Sequence, residues 1–378
     1  MPYQNLKRQV LAEINLNHFI HNLTLVKQRL NPQTQIMLVL KADAYGHGAL
    51  QLAKVALEQG INYFAVATFE EAMRLREQYQ EARILILGYT LPSHALEAIK
   101  YHIEMCVYDI HTAKAFSKIA SIHNMQALLH IKLDTGMGRL GYQLNEQNLQ
   151  EIQEIFHLPH LRIQGIFTHF ATADCADSDY LIKQYTDFQS FLALLPNLSN
   201  VLLHCANSAS IFHARQTHMD IVRLGIIAYG LQPSFQMNMR DINLKAVMSF
   251  KANIVHIKEI DKYQSVSYGR TFVATKRTTI ATLPVGYADG YMRLLSNKAE
   301  VLIHGKRAPI VGNICMDHCM VDISEIDNVK VGDCVLLFGY DEYHNELNVD
   351  ELAARINTIN YELVCAVSKR VPRVYTRF

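Results

Sequence analysis

The sequence predicts an α/β protein: an N-terminal (β/α)8 barrel of the TIM type followed by a smaller, mostly β domain. Between residues 36 and 226, eight short and continuously apolar segments alternate with amphipathic ones, which is the pattern of parallel strands covered by helices. After residue 245, strand-like segments follow one another with turn signals between them, as in a β domain. We therefore predict a barrel over residues 1–244 and a second domain over residues 245–378.

The predicted barrel strands are evenly spaced, at Ile36–Leu40, Tyr63–Val66, Arg83–Leu87, Glu104–Val107, Leu128–Leu133, Ile163–Thr168, Val201–His204 and Ile221–Leu224. Amphipathic helices are predicted between most of them, at Ala49–Leu57, Phe69–Gln78, Ser93–Lys100, Ile110–Ile122, Asn145–Phe156 and Tyr180–Leu194. A doubly wound sheet is the alternative. Eight regular units favour a barrel, on the short side of the usual length for that fold.

The strands predicted in the second domain are Ala246–Ile260, Thr278–Leu283, Glu300–His304, Pro309–Ile314, Cys319–Ile323 and Cys334–Phe338. One helix is predicted from Val349 to about Arg355, because Asn348 is a suitable N-cap residue.

The composition argues against several kinds of partner. Lysine and arginine number 36, against 35 aspartate and glutamate residues, so no strong field favours nucleic acid or a membrane surface. No apolar run of about 18 residues predicts a membrane-spanning helix. Residues 1–10 lack an apolar signal core, so we expect a cytoplasmic protein. The seven dispersed cysteines are expected to be thiols, with no metal site.

The first predicted strand ends at a lysine, Lys41, within the segment Val39–Gly48. A lysine that a strand delivers to a loop can present its amine to a carbonyl cofactor. Catalytic groups of barrel enzymes lie at the carboxyl ends of the strands. The candidates at those ends are Lys41, Tyr45, Lys132, Asp134, Arg139, His169, Asn207, Ser208, Arg223, Gly225 and Ile226. Serine and glycine after strands seven and eight occupy the usual phosphate position, so the amine and the phosphate site together predict pyridoxal 5'-phosphate.

Longer motifs carry a resemblance to a known family. In chain order they are Val39–Gly48, Lys132–Gly141, Thr168–Phe170, Asn207–Ala209, Val222–Ile226, Val266–Gly269, Gly286–Gly290, Cys315–Asp317, Asn360–Glu362 and Arg370–Arg373. On these motifs the chain resembles the alanine racemases, pyridoxal phosphate enzymes of fold type III, over nearly its whole length. The resemblance implies interconversion of L- and D-alanine, which supplies D-alanine for peptidoglycan, by a homodimer with shared active sites.

The same resemblance implies two catalytic bases on opposite faces of the cofactor. Lys41 would bind the cofactor covalently and act as one base, and Tyr268 would be the other. An unperturbed phenol is a weak base at neutral pH, and the resemblance implies a hydrogen-bonded chain from His169 and Arg223 to this tyrosine. Arg223 would also donate to the pyridine nitrogen. Arg139 would hold the phenolic oxygen of the cofactor and the substrate carboxylate.

Further residues match binding positions of the family. The cofactor-binding matches, most of them to the phosphate, are Tyr45, Asn207, Ser208, Gly225, Ile226 and Tyr361. Met316 matches the residue whose backbone N–H meets the substrate carboxylate, and Tyr287, Arg293 and Asp317 match the rim of the site. Lys132 matches a lysine that is carbamylated in many relatives. Tyr268, Met316 and Tyr287 would complete the active site of the other subunit.

The sequence leaves three alternatives. The first is a racemase of the same fold that acts on serine, lysine or other amino acids. The second is a decarboxylase of ornithine or diaminopimelate, whose usual glycine triplet is missing from this sequence. The third is a non-catalytic pyridoxal phosphate-binding homeostasis protein; that family is a lone barrel, so a second domain with Tyr268 argues against it.

Overall fold

The computed structural model describes residues 8–195, 198–237, 239 and 242–377. Its parallel barrel sheet is built from Gln35–Val39, Tyr63–Val66, Arg83–Ile86, Glu104–Val107, Ala127–Asp134, Leu161–Phe167, Leu202–His204 and Ile221–Leu224. The eighth of these strands pairs with the first. Between the seventh and the eighth the ladder is replaced by single backbone bonds, such as Arg223 N–H to the Ala206 carbonyl at 3.0 Å. The predicted (β/α)8 barrel is confirmed and is nearly closed.

Helices follow the barrel strands, at Ala49–Glu58, Phe69–Gln78, Pro92–Lys100, Ile110–Ile122, Glu146–His157, Asp179–Leu192 and Ser208–His213. Several begin where the sequence supplies an N-cap. Thr68, Asp109 and Asn145 each accept a hydrogen bond from the backbone N–H three residues later, which satisfies a donor that a helix start leaves unpaired. The two-residue strand Tyr142–Gln143 pairs beside the fifth barrel strand.

The remaining strands form three further sheets. The largest has the order Lys306–Pro309, Glu300–Ile303, Cys334–Tyr340, Met248–Asn253, Val10–Asn15 and Arg373–Thr376, with Glu346–Leu347 paired to Cys334–Tyr340. The other two contain His256–Ile260, Thr278–Leu283 and Cys319–Asp322, and Ser265–Val266 with Phe272–Val273. The helices here are Val349–Arg355, whose N-cap is Asn348 as predicted, and Asn360–Ala366. Short 3-10 turns lie at Arg215–Thr217, Ile226–Tyr229, Tyr268–Arg270, Tyr287–Asp289 and Arg293–Leu295.

Two strand predictions in this part of the chain are wrong in detail. The predicted single strand Ala246–Ile260 is two strands, because the chain leaves the largest sheet after Asn253 and joins the three-stranded sheet at His256. The predicted strand Pro309–Ile314 ends where it was expected to begin. Gly312, with φ of 75°, interrupts the extended backbone there.

The first and last described strands lie side by side. Val10–Asn15 pairs antiparallel with Met248–Asn253 and parallel with Arg373–Thr376, and it leads into the helix Leu16–Lys27, which Asn15 caps. This pairing brings the C-terminal segment to the loop after the first barrel strand, where Nε of Arg373 donates to the Gly46 carbonyl at 3.0 Å. Among the helices of the described residues, none has the length and apolarity needed to cross a membrane.

Candidate active site

A cavity of about 420 Å³ opens at the carboxyl ends of the barrel strands, a volume within the usual range for a small-molecule site. It brings together most of the strand-end residues singled out in the sequence. The predicted residues that line it are Lys41, Tyr45, Lys132, Arg139, His169, Asn207, Ser208, Arg223, Gly225, Ile226 and Tyr361. We call this region the barrel cavity. Its lining is strongly cationic, since the side chains of Lys41, Lys132, Arg139 and Arg223 all border it.

Asp134 does not line the barrel cavity. Its carboxylate instead accepts hydrogen bonds from the backbone N–H groups of Gly136 and Gly138, each at 3.0 Å. Asp134 therefore shapes the turn that carries Arg139 into the cavity. A residue missed by the sequence reasoning, Asp174, lies in the cavity wall. Its only signal in the sequence was its position in the loop after the sixth strand.

Lys41 begins a left-handed turn. Ala42, Asp43, Ala44 and Tyr45 have φ between 52° and 56°, a conformation that costs a non-glycine residue about 1–2 kcal/mol. The turn is held by the Glu71 carboxylate, which accepts from Ala42 N–H at 2.6 Å, and by the Asp43 carboxylate, which accepts from Ala49 N–H at 2.9 Å. This turn sets where the Lys41 amine and the Tyr45 phenol enter the cavity.

The two lysines of the cavity share an electrostatic environment. Burial, together with the positive charge of Arg139, lowers the pKa of the Lys41 ammonium. Burial also lowers the pKa of Lys132, and no carboxylate of the described residues lies within 4 Å of its ammonium. Both amines are therefore biased towards the neutral, nucleophilic form.

Hydroxyl and backbone N–H groups converge on one end of the cavity. Gly225 N–H donates to Ser208 Oγ at 2.8 Å. A Cβ placed on Gly225 would lie 2.9 Å from Tyr45 Oη and 3.4 Å from Ser208 Oγ, so only a glycine leaves this space free. The ring of Tyr361 lies 6.0 Å from that of Tyr45. Polar groups around a glycine gap in a cationic cavity fit the phosphate of pyridoxal phosphate.

Asn207 lines this cavity and also caps the helix that follows it. Its side-chain oxygen accepts from Ser210 N–H at 3.2 Å, and its own N–H donates to Ser210 Oγ at 2.9 Å, a reciprocal capping box. The side chain of Asn207 thus positions the start of the helix that carries Ser208.

Arg223 lines the cavity from a buried position, with 3% of its surface exposed. Nη2 donates to the carbonyls of Thr168 (2.7 Å) and Cys205 (3.0 Å) and to Nδ1 of His169 (3.2 Å). Burial lowers the pKa of Arg223 to about 10, so the guanidinium remains charged at neutral pH. Burial and the charge of Arg223 hold the pKa of His169 well below its usual range. His169 is therefore neutral and accepts at Nδ1, which leaves the hydrogen on Nε2 as a donor.

Of the predicted residues in the second domain, Tyr361 lines the barrel cavity of its own chain, and the rest lie outside it: Tyr268, Tyr287, Arg293, Met316 and Asp317. Tyr268 is 71% exposed, Met316 53% and Tyr287 43%. We call these three the exposed loop cluster. Arg293 and Asp317 flank it: Arg293 Nη1 donates to the Ile314 carbonyl at 2.9 Å, and Asp317 pairs with Arg370 at 2.7 Å.

Backbone bonds join the loops of the exposed loop cluster to one another. Tyr287 N–H donates to the Cys315 carbonyl and Ala288 N–H to the Met316 carbonyl, both at 3.1 Å. Nδ2 of Asn313 donates to the Tyr268 carbonyl at 2.7 Å. The three side chains therefore lie on loops that are hydrogen-bonded to one another, and they form one surface.

A parallel barrel with an amine of lowered pKa and a polar cradle at the carboxyl ends of its strands is typical of barrel enzymes that work through a lysine. Comparisons with known proteins give the family. The model of the alanine racemase N-terminal domain matches residues 14–233, and that of the alanine racemase C-terminal domain matches residues 247–375. The chain belongs to the alanine racemase family.

Individual relatives agree over nearly the full length. An alanine racemase of Desulforamulus reducens is 44% identical, with 98% of this chain and 100% of the relative covered. The solved alanine racemase of Clostridium difficile 630 is 39% identical, with a TM-score of 0.94 and coverage of 99% and 97%. The crystal structure of the Bacillus anthracis alanine racemase with bound L-Ala-P is 33% identical, with a TM-score of 0.92 and coverage of 98% and 96%.

Proposed function

We propose that the protein interconverts L- and D-alanine with pyridoxal 5'-phosphate held covalently at Lys41. The observation that carries the proposal is the barrel cavity, in which an amine of lowered pKa stands beside a polar cradle that a Cβ on Gly225 would fill. When bound, the cofactor supplies the electron sink that makes the Cα hydrogen of an amino acid acidic. The family and the L-Ala-P bound to the B. anthracis relative support alanine as the substrate.

Different residues of the barrel cavity would bind different parts of the cofactor. Tyr45, Ser208 and the N–H group of Ile226 would hold the phosphate in the space that Gly225 leaves free, with Asn207 and Tyr361 beside them. Arg223 would face the pyridine nitrogen. Because a guanidinium only donates hydrogen bonds, it would leave that nitrogen without a proton and weaken the electron sink, which suits racemisation over transamination. Arg139 would meet the phenolic oxygen and the substrate carboxylate.

Racemisation requires a proton to leave one face of Cα and another to arrive on the opposite face. Lys41, whose pKa is lowered by burial, is proposed as the base on one face. Tyr268 of the partner subunit is proposed as the base on the other, where Nε2 of His169 would donate to its oxygen. The exposure of Tyr268 supports this arrangement, since a base open to water on its own chain gains a site by docking on another.

The homodimer would bring the exposed loop cluster of one subunit over the barrel cavity of the other. The backbone N–H of Met316 would then meet the substrate carboxylate, and Tyr287, Arg293 and Asp317 would form the rim. We also propose the division at residues 244 and 245 as the boundary between the part that carries the cofactor and the part that completes the partner's site.

Lys132 is proposed as a site of carbamylation. A neutral amine attacks CO2 and loses one proton, which leaves a carbamate anion; the lowered pKa of Lys132 favours this reaction. The carbamate would place a negative charge among the cations of the cavity and orient Arg139.

We propose that the enzyme works in the cytoplasm and supplies D-alanine for peptidoglycan. All seven cysteines are free, and Cys175, Cys334 and Cys365 are exposed. Exposed free thiols persist where the environment is reducing, which supports the compartment.

The experiment that tests the function combines two measurements on the purified protein with pyridoxal phosphate. Borohydride reduction followed by peptide mass spectrometry should locate the cofactor on the peptide that contains Lys41. Initial rates with L- and D-alanine, serine and lysine should give the highest kcat/KM for alanine in both directions. A cofactor bound to another lysine, or faster turnover of serine or lysine, would contradict the proposal.

A further inference from the structure

A chain of buried polar side chains runs through the interior of the barrel, away from the barrel cavity. Nη1 of Arg223 lies 2.9 Å from Nδ1 of His204, Nε2 of His204 lies 3.0 Å from Nδ1 of His130, and Nε2 of His130 lies 2.8 Å from Oε2 of Glu104. Both histidines are 0% exposed and Glu104 is 3% exposed. We call Glu104, His130 and His204 the barrel relay.

The barrel relay is a built feature of the fold. Glu104 is the first residue of the fourth barrel strand, and His204 is the last residue of the seventh. The relay therefore crosses the barrel from the amino ends of the strands to the carboxyl ends, where the cavity opens. Gly165 provides the space, since a Cβ there would lie only 2.4 Å from Nδ1 of His130.

Hydrogen-bonding capacity gives this chain a single direction. A guanidinium only donates, so Nδ1 of His204 must accept from Arg223. A histidine carries at least one ring hydrogen, so Nε2 of His204 donates to Nδ1 of His130. The hydrogen of His130 is then on Nε2 and is donated to Glu104. Each tautomer follows from the one before, and the carboxylate is the acceptor that ends the series.

The surroundings keep His204 neutral and Glu104 ionised, as this direction of hydrogen bonding requires. Burial and the charge of Arg223 hold the pKa of His204 well below its usual range, so this ring stays neutral. Burial alone would raise the pKa of Glu104, but its bond with His130 and the charge of Arg83 bring it below the ordinary value. Arg83 donates to Oε1 at 2.9 Å and Tyr63 donates to Oε2, so the carboxylate stays ionised.

We propose that Glu104 is a positioning residue which, through the tautomers of His130 and His204, holds Arg223 in the orientation that the reaction uses. Without an acceptor at Nδ1 of His204, Nη1 of Arg223 would face a donor and the guanidinium would turn away. The inference rests on the proposed function for its catalytic consequence, whereas the tautomers themselves can be tested without any activity.

Neutron crystallography of the perdeuterated holoenzyme tests the direction. We expect deuterium on Nε2 of both His204 and His130, and bare Nδ1 atoms facing Arg223 and His204. Deuterium on Nδ1 of His204 would overturn the inference, even if the protein racemises alanine. Failure of the proposed function with these tautomers present would leave the relay intact, so the two failures are distinguishable.

Three variants, Glu104→Leu and the controls Glu104→Gln and Tyr63→Phe, test whether the tautomers of the barrel relay affect kcat. In Glu104→Leu, the Tyr63 hydroxyl, 3.0 Å from Nε2 of His130, is free to donate to that nitrogen. His130 then donates from Nδ1, and the reversed chain ends with a hydrogen on Nδ1 of His204 against Arg223. We expect kcat to fall by about tenfold or more, the size of one misplaced buried hydrogen bond, with a smaller change in KM.

Two matched controls separate direction from charge and from stability. Glu104→Gln loses the charge but keeps an oxygen that can accept from His130. Its NH2 group would face Arg83, whose side chain is 34% exposed and can move away. In this variant kcat should stay within about threefold of wild type. Tyr63→Phe removes one donor to Glu104 and should lower the melting temperature without changing kcat. Equal kcat in Glu104→Leu and Glu104→Gln would overturn the proposal.

Discussion

The barrel cavity and the exposed loop cluster differ in burial, charge and the way their side chains are held. In the cavity, Arg223 is 3% exposed and is fixed by several hydrogen bonds, and two guanidiniums and two amines border the space. In the exposed loop cluster, Tyr268 is 71% exposed and Met316 53%, while their loops are held through backbone carbonyls that accept from backbone N–H groups and from the Asn313 side chain. The basic lining of the cavity suits an anionic ligand. The exposed side chains of the cluster suit the contact with a second subunit that we propose.

In the proposed mechanism, neither region alone is a complete site for racemisation. The cavity provides the Lys41 amine and the proposed contacts to the cofactor. The cluster supplies a phenol and apolar side chains that a single chain leaves in water, as at a surface used for recognition. The following predictions test the two regions separately and then together.

The largest effect is expected in the barrel cavity, from Lys41→Ala. Without the amine, racemisation should fall by about 1000-fold or more in both directions, because the nucleophile and one base are lost together. Rates from L- and D-alanine at saturating cofactor measure this. Lys54→Ala, on the exposed face of the next helix, is the control and should be unchanged. Near wild-type turnover of Lys41→Ala would remove the cavity from the mechanism.

In the exposed loop cluster, Tyr268→Phe should slow proton removal from L-alanine by about 100-fold, the usual size of a lost general base. Incorporation of solvent deuterium at Cα, followed from each enantiomer, should be lost preferentially from the L side. Tyr263→Phe is the matched control, since Tyr263 is 70% exposed in the same part of the chain. Equal deuterium incorporation from both enantiomers would show that Tyr268 is not the second base.

A smaller effect is expected from Gly225→Ala, which affects only the cavity. The new Cβ would lie 2.9 Å from Tyr45 Oη, so the dissociation constant of pyridoxal phosphate, measured by equilibrium dialysis, should rise by about tenfold. Gly60→Ala introduces a side chain at φ of 75° with nothing within 4 Å. Gly60→Ala should lower the stability of the protein and leave its affinity for the cofactor unchanged. Unchanged cofactor affinity in Gly225→Ala would contradict the assignment of Gly225 to the phosphate site.

The last prediction joins the two regions. Lys41→Ala and Tyr268→Phe subunits, mixed and allowed to exchange, should form about half heterodimers, each with one intact site. Activity should then recover to about a quarter of wild type if the sites act independently. Differently tagged subunits establish the exchange. Proven exchange without recovery would mean that each site is built from one chain.

The barrel and its cavity could be predicted from the sequence because local signals coincide with the fold there. The strands Tyr63–Val66, Glu104–Val107 and Ile221–Leu224 are observed with the predicted bounds, since continuous apolar runs between amphipathic helices specify a covered parallel strand. The strand-end rule also placed Lys41, His169 and most of the other candidates correctly in one cavity, with Asp134 as the exception.

The parts that were missed depend on contacts that sequence spacing does not show. The strand Val10–Asn15 is defined by partners more than 230 positions away, at Met248–Asn253 and Arg373–Thr376. The barrel relay joins Glu104 to His204 across the barrel, and neither residue stands out in its own segment. The helix Leu16–Lys27 is different, because its N-cap Asn15 and its buried face are signals that the sequence does carry.

The turn after Lys41 has a consequence for the order in which the chain becomes competent during synthesis. The two glycines that follow its left-handed residues contact a segment far along the chain. Arg373 donates to the Gly46 carbonyl, and Gly48 packs against the Tyr375 hydroxyl. The ribosome makes Lys41 early, but these contacts cannot form until Arg373 and Tyr375 have been synthesised. We expect a nascent chain that lacks Arg373 and Tyr375 to carry the Lys41 amine without the complete geometry of the turn that follows it.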